Sequence, residues 1–159
     1  MASPHGKYSR SVSDRELLET MSRYAEFVGE IVEGSGGRVV KFIGDAALIV
    51  YPESLADAGV RALRELKERG DAWLVERRIP CGHVIKAHFG PVVSTRLGTR
   101  ADKRFDVYGQ TVMVAAVTKS NGLAITPQAF RKLAPQTRRL FKKHTPPVTY
   151  ISAEERHRG

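Results

Sequence analysis

The chain has 159 residues, 42% of them hydrophobic and 27% charged, with a net charge of +9 and one cysteine, Cys81. That is the length of one domain with enough apolar content for a core, and the composition excludes a disordered chain or a membrane-length apolar run. A lone cysteine excludes an internal disulfide framework and suits a reducing cytoplasm, while the basic excess suits polyanions such as nucleotides, nucleic acid or an acidic protein.

The basic residues are spread along the chain, densest at Arg77-Arg78, Lys103-Arg104, and Arg138-Arg139 with Lys142-Lys143, which reads mostly as a solvated surface. Residues 1–12 form a polar N-terminal segment without periodicity, residues 13–152 read as one domain, and 153–159 as a polar tail. Ser13-Asp14-Arg15-Glu16 is a capping box, in which a hydroxyl and a carboxylate three residues apart satisfy free amides of a first helical turn. Leu17, Met21, Tyr24, Val28 and Ile31 follow at helical spacing, and Gly34 with Gly36-Gly37 stops the helix. Arg38–Ile43 and Ala46–Tyr51 read as two strands joined by a Gly44-Asp45 turn.

Ser54 to about Val75 reads as a second helix with Leu55, Ala58, Ala62, Leu63 and Leu66 inward. Strand residues then lie on either side of Gly90-Pro91 between Ile79 and Ser94, and Phe105–Tyr108 is a short strand. Thr111–Lys119 reads as a helix and Leu123–Ile125 as a strand, while Thr126-Pro127 opens a helix running to Leu133. Arg138–Lys142 and Val148–Ile151 read as a closing hairpin around Pro146-Pro147. Helices thus alternate with antiparallel hairpins, which is an α+β order with helices on one face of a mostly antiparallel sheet.

Two stretches carry the chemistry. One is the hairpin Gly37-Arg38-Val39-Val40-Lys41-Phe42-Ile43-Gly44-Asp45-Ala46-Ala47-Leu48-Ile49-Val50-Tyr51. The other runs from Gly82-His83-Val84 through Gly90-Pro91-Val92-Val93 to Phe105-Asp106-Val107-Tyr108-Gly109-Gln110-Thr111-Val112. Together they resemble the catalytic domain of class III nucleotidyl cyclases, over roughly Asp14 to Ile151. The resemblance implies a ferredoxin-like sandwich, a Mg or Mn cofactor if nucleotide binding is retained, and a homodimer or a heterodimer with another cyclase domain.

Cyclising a nucleoside triphosphate requires metals held by carboxylates, cations or amides that steady the phosphates, and a pocket that reads the base. The resemblance gives Asp45 the role of a metal-binding aspartate, and Lys41 with Asp106 the role of adenine readers, a donor for the ring nitrogen and an acceptor for the amino group. Lys142 falls where the family holds the triphosphate. Each has an ordinary reading beside this one: a turn residue for Asp45 and Asp106, an outward strand lysine for Lys41, and a solvated basic face for Lys142.

The departures matter as much. The family's first strand carries another metal aspartate ahead of a loop that Gly6-Lys7-Tyr8-Ser9 resembles, but Ser3, Pro4 and His5 stand there. A transition-state asparagine and arginine would fall at Met113 and Val117, neither of which donates hydrogen bonds or carries charge; both read as core or interface residues. Losing a single preorganised donor lowers a rate on the order of a hundredfold or more.

The leading expectation is therefore a catalytically degenerate, adenylyl-type cyclase homology domain, a regulatory or nucleotide-binding module in cyclic-nucleotide signalling with ATP as a candidate ligand. The first alternative is an active adenylate cyclase, complete at full length or when paired with a complementary partner. The second is a basic nucleic-acid module, which would need exposed aromatic pairs on adjacent strands. Phe42, Tyr51, Phe89, Phe105 and Tyr108 are scattered and mostly suit a core, so this alternative ranks last.

Overall fold

The computed structural model describes residues 11–156; the residues discussed above between Ser3 and Ser9 lie outside this range. The first helix, α1, spans Asp14–Gly34. Its capping box is formed: the Ser13 hydroxyl accepts from the Glu16 amide at 3.3 Å, and the Glu16 carboxylate accepts from the Ser13 amide at 2.9 Å. The helix ends at Ser35, and Gly36 turns the chain with φ of +87°, a conformation glycine adopts without strain. β1 (Arg38–Ile43) and β2 (Ala46–Val50) pair antiparallel, with a register irregularity between Val39 and Lys41.

A short 3-10 turn at Glu53–Leu55 leads into α2 (Ala56–Glu76), which runs uninterrupted through Gly70 and Trp73. The remaining elements are β3 (Ile85–Ala87), β4 (Val93–Gly98), β5 (Lys103–Tyr108), α3 (Gln110–Val117), β6 (Leu123–Ile125), α4 (Pro127–Arg131), α5 (Pro135–Arg138), β7 (Phe141–His144) and β8 (Thr149–Ser152).

Three local expectations change. Ile79 is buried but not in a strand, and β3 forms only from Ile85. Pro135 sits in the first turn of a short helix that takes up Arg138, so the final hairpin begins at Phe141 rather than Arg138. α4 ends at Arg131, short of Leu133.

The architecture is α+β, and among the described residues the strands form three sheets: the β1–β2 hairpin, the β4–β5 hairpin, and a four-stranded sheet in the order β3-β6-β8-β7. Within the last, β3 runs parallel to β6 and the other pairings are antiparallel. One apolar core joins the first hairpin and the four-stranded sheet. Val28 and Val32 of α1 and Leu63 and Leu66 of α2 pack with Leu123 and Ile125 of β6, both 0% exposed. Val39, Ile49 and Tyr51 from the first hairpin pack against the same cluster.

A polar relay pins α1, α2 and the approach to β3. The Tyr24 hydroxyl lies 2.8 Å from Nε2 of His83, and Nδ1 of His83 lies 3.0 Å from Asp71. The His83 amide donates to the same Asp71 oxygen at 2.7 Å, and Lys67 pairs with the other. With a carboxylate as acceptor, Nδ1–H donates to Asp71 and the tyrosine hydroxyl donates to Nε2. Burial, then the charges of Asp45, Cys81 and Asp71, push Tyr24 up to about 12, which keeps this donor protonated.

Gly70 leaves room for the His83 ring: a Cβ there would meet Cε1 at 2.6 Å. The ring is held at both nitrogens, so Gly70→Ala should destabilise the fold by about 1–3 kcal/mol despite the better helix propensity of alanine, as read by urea unfolding. Burial opposes ionisation of Asp71, but the bonds from the His83 amide, Lys67 and the His83 ring outweigh it, and the carboxyl titrates below its ordinary range. The unfolded chain then binds the proton more readily, so the stabilisation is fully present above the ordinary aspartate value and is lost as pH falls through the lowered one. Asp71→Asn should show a lower urea midpoint at pH 7 and a shallower fall between pH 5 and 3 than the parent chain.

Candidate functional site

Lys41 lies on β1 and Asp106 on β5, in different hairpins and 65 residues apart. The structure brings them into contact: Lys41 Nζ donates to Asp106 Oδ2 at 2.6 Å. The other oxygen, Oδ1, accepts from the Val107 amide at 2.8 Å, which fixes the carboxylate plane. The lysine side chain is 39% exposed and the aspartate 13%, so the pair sits at a surface that a ligand can reach.

The hydrogen bond from Lys41, then the Val107 amide, holds the Asp106 carboxyl below the ordinary carboxylate range. The same bond raises Lys41, against a smaller opposing effect of burial. Both groups therefore stay charged at neutral pH. Arg38, at the start of β1, adds a second tie: its guanidinium lies 3.7 Å from the centre of the Phe105 ring. Sequence reasoning missed this contact, because no local spacing links residues on two hairpins.

Asp45 occupies the exposed β1–β2 turn, where Gly44 adopts φ of +61°. It lines a cavity of about 1180 Å³ shared with Tyr24, Cys81 and His83. Burial is the main reason the Cys81 thiol is pushed up, with the negative charge of Asp45 adding to it. Among the described residues there is no group of three or more histidine, cysteine, aspartate or glutamate side chains suited to a metal ion. The described residues do not by themselves fit a divalent metal.

Gly109 opens α3 with φ of +143°, and Thr111 fastens that helix by donating from Oγ1 to the Pro91 carbonyl at 2.6 Å. Met113 and Val117 are 58% and 72% exposed on α3. They are not core residues, which leaves an interface as the reading of these apolar side chains. Tyr108, on β5 beside α3, adds further exposed apolar surface.

Lys142 stands on β7, the edge of the four-stranded sheet opposite β3, and donates to the Glu155 carbonyl. The described contacts do not join it to Lys41 or Asp106. Among the aromatic residues, Phe42 and Tyr108 are exposed on different sheets, and Tyr51, Phe89 and Phe105 are half-buried; this arrangement does not favour base stacking. No helix among the described residues is long and apolar enough to cross a membrane.

No family model matches the chain. A curated relative from Glutamicibacter nicotianae, named adenylate cyclase, is 34% identical over 110 residues, covering 68% of this chain and 23% of the relative. The chain thus spans less than a quarter of that protein. A bacterial light-regulated adenylyl cyclase superposes with a TM-score of 0.73 at 19% identity, over 98% of this chain and 50% of its own. An adenylyl cyclase from P. aeruginosa gives 0.72 at 12% identity, over 94% and 88%. The guanylate cyclase domain of a Catenaria anguillulae protein, solved in complex with GTP, gives 0.67 at 17% identity, over 91% and 88%. With this order of elements and these likenesses, the chain is a cyclase homology domain of the class III nucleotidyl cyclase fold.

Proposed function

We propose that the domain is a nucleotide-binding regulatory module of cyclic-nucleotide signalling, selective for adenine and deficient in turnover on its own. The observation that carries this reading is the Lys41–Asp106 pair. Two chemically complementary groups from separate hairpins are held 2.6 Å apart at a partly open surface. A purine that inserts between them exchanges one charge-assisted bond for two: ammonium to ring nitrogen, and amino group to carboxylate.

The deficiency rests on α3. Where the resemblance places an asparagine and an arginine, Met113 and Val117 offer no donor and no charge to a developing phosphate oxyanion. Their exposure instead suits burial against a second domain, of this chain or of another cyclase. Asp45, at the hairpin turn, is where the resemblance places a carboxylate ligand for a nucleotide-bound Mg or Mn. Lys142 would reach a triphosphate only by leaving the Glu155 carbonyl.

A second reading, an adenylate cyclase that becomes active when completed by further chain or a complementary partner, is supported by the 34% identity to a relative of that name.

Calorimetric titration with ATP and GTP tests the proposal. ATP should bind more tightly than GTP, and Asp106→Asn should weaken ATP by about 10- to 100-fold, as expected for one hydrogen bond to a charged group. Equal affinity for both nucleotides, or an Asp106→Asn variant with unchanged ATP affinity, would count against it. Met113→Asn combined with Val117→Arg should leave cyclic-nucleotide formation undetectable, measured by mass spectrometry with excess manganese; strong activity from that double variant would show that α3 alone limited turnover.

A further inference from the structure

We infer that Lys86 and Lys142 form a polyphosphate-binding pair on one face of the four-stranded sheet, and that Glu155 competes for it from within the chain. The inference rests on the nucleotide reading for the identity of its ligand. To that reading it adds a cation, Lys86, and a built-in competitor.

Strand pairing puts the two lysines on one face. Lys86 of β3 is the partner of Ala124 on β6, Ala124 of Ile151 on β8, and Ile151 of Lys142 on β7. Paired residues project from the same face of a sheet, so these four side chains form one row across it. The lysines stand at its two ends, three interstrand steps apart, roughly 14 Å at about 4.8 Å a step. That span suits a ligand of several linked phosphate groups better than a single one.

The two lysines also share an electrostatic state. Lys41, Lys67 and Lys132 pair with the carboxylates of Asp106, Asp71 and Glu53. Lys86 instead donates to the Ala116 carbonyl at 2.8 Å, and Lys142 to the Glu155 carbonyl. A neutral carbonyl holds an ammonium in place without compensating its charge, and a phosphate oxygen is the stronger acceptor. The surrounding chain supplies no anion either: no aspartate or glutamate stands between Asp106 and Glu154, while lysines and arginines recur from Lys119 to Lys143. Ala116 lies at the C-terminal end of α3, one residue before Val117. Lys86 thus sets a cation at the end of the helix whose own side chain at 117 carries none.

Glu155 lies across the same face. Its carbonyl accepts from Lys142, and a Cβ on Gly122, two residues before Ala124, would meet its carboxylate at 2.8 Å. Ala124 and Ile151, between the lysines, are buried. A polyphosphate that bridges the lysines has to displace this carboxylate, and it brings more negative charge than it removes.

Calorimetric titration of the intact chain at low ionic strength, without metal, tests this with inorganic tripolyphosphate and orthophosphate as probes. Tripolyphosphate should bind saturably, and Lys86→Met and Lys142→Met should each weaken it about tenfold or more, with orthophosphate about tenfold weaker than tripolyphosphate on the parent chain. Lys143→Met removes the same charge from the opposite face of β7 and should change affinity less than about threefold. Glu155→Gln should tighten binding. Lys86→Arg should stay near the parent, which separates loss of the cation from loss of the contact with α3.

The proposal is overturned by no tripolyphosphate binding in either the parent or Glu155→Gln, by unchanged affinity in Lys86→Met, or by an equal loss in Lys143→Met. An equal loss in Lys86→Arg and Lys86→Met would assign the effect to packing on α3 and overturn it too. Tripolyphosphate binding that needs both lysines, without preference for ATP over GTP, would support the pair and remove the adenine reading. A preference for ATP with Lys86→Met silent would do the reverse.

Discussion

A single apolar floor carries the first hairpin and the four-stranded sheet. α1 and α2 present Val28, Val32, Leu63 and Leu66 to the first hairpin and the four-stranded sheet alike, and among the described residues those two sheets share no ladder. Among the described residues, β1 and β3 are therefore joined through the helices rather than through a shared ladder. This gives the relay of Tyr24, His83 and Asp71 its weight. It fixes where α1 lies on α2 and where the chain enters β3, using directional bonds where apolar contact alone would allow sliding.

The candidate site inherits that arrangement. Lys41 reaches it from a hairpin seated on the helical floor, and Asp106 from the second hairpin, whose β5 lies beside β1. The Arg38–Phe105 contact adds a tie between the same two strands. On the proposed reading, base recognition survives because both of its groups also serve to join two hairpins. The phosphate-steadying positions on α3 have no such structural duty, and apolar residues there face outward. Recognition and turnover depend on different elements, so one can persist without the other.

Local signals in the sequence identified most of the elements. The capping box at Ser13, the Gly44-Asp45 turn and the Thr126-Pro127 helix start depend on neighbours within a few residues, and each forms where its residues stand. Strand limits at Ile79 and Arg138 were less legible: burial of Ile79 needs no strand, and Pro135 recruits Arg138 into a helical turn. The division into three sheets could not be read from periodicity, which reports which face a side chain takes but not which strand pairs with which. The pairing of Lys41 with Asp106 likewise required the fold, as did the relay, whose members Tyr24 and His83 lie 59 residues apart. The exposure of Met113 and Val117 was the least legible feature, because an apolar residue on a helix reads the same whether it faces a core or a second domain.

The central claim, that this domain reads a nucleotide without turning it over, is met most directly by incubating the purified chain with ATP or GTP and excess manganese and assaying cyclic nucleotides by mass spectrometry. The account predicts no product from either nucleotide. Cyclic AMP that forms with the parent chain and disappears in Asp45→Ala would contradict it, and would mean that the hairpin carboxylate works with catalytic groups other than those at Met113 and Val117.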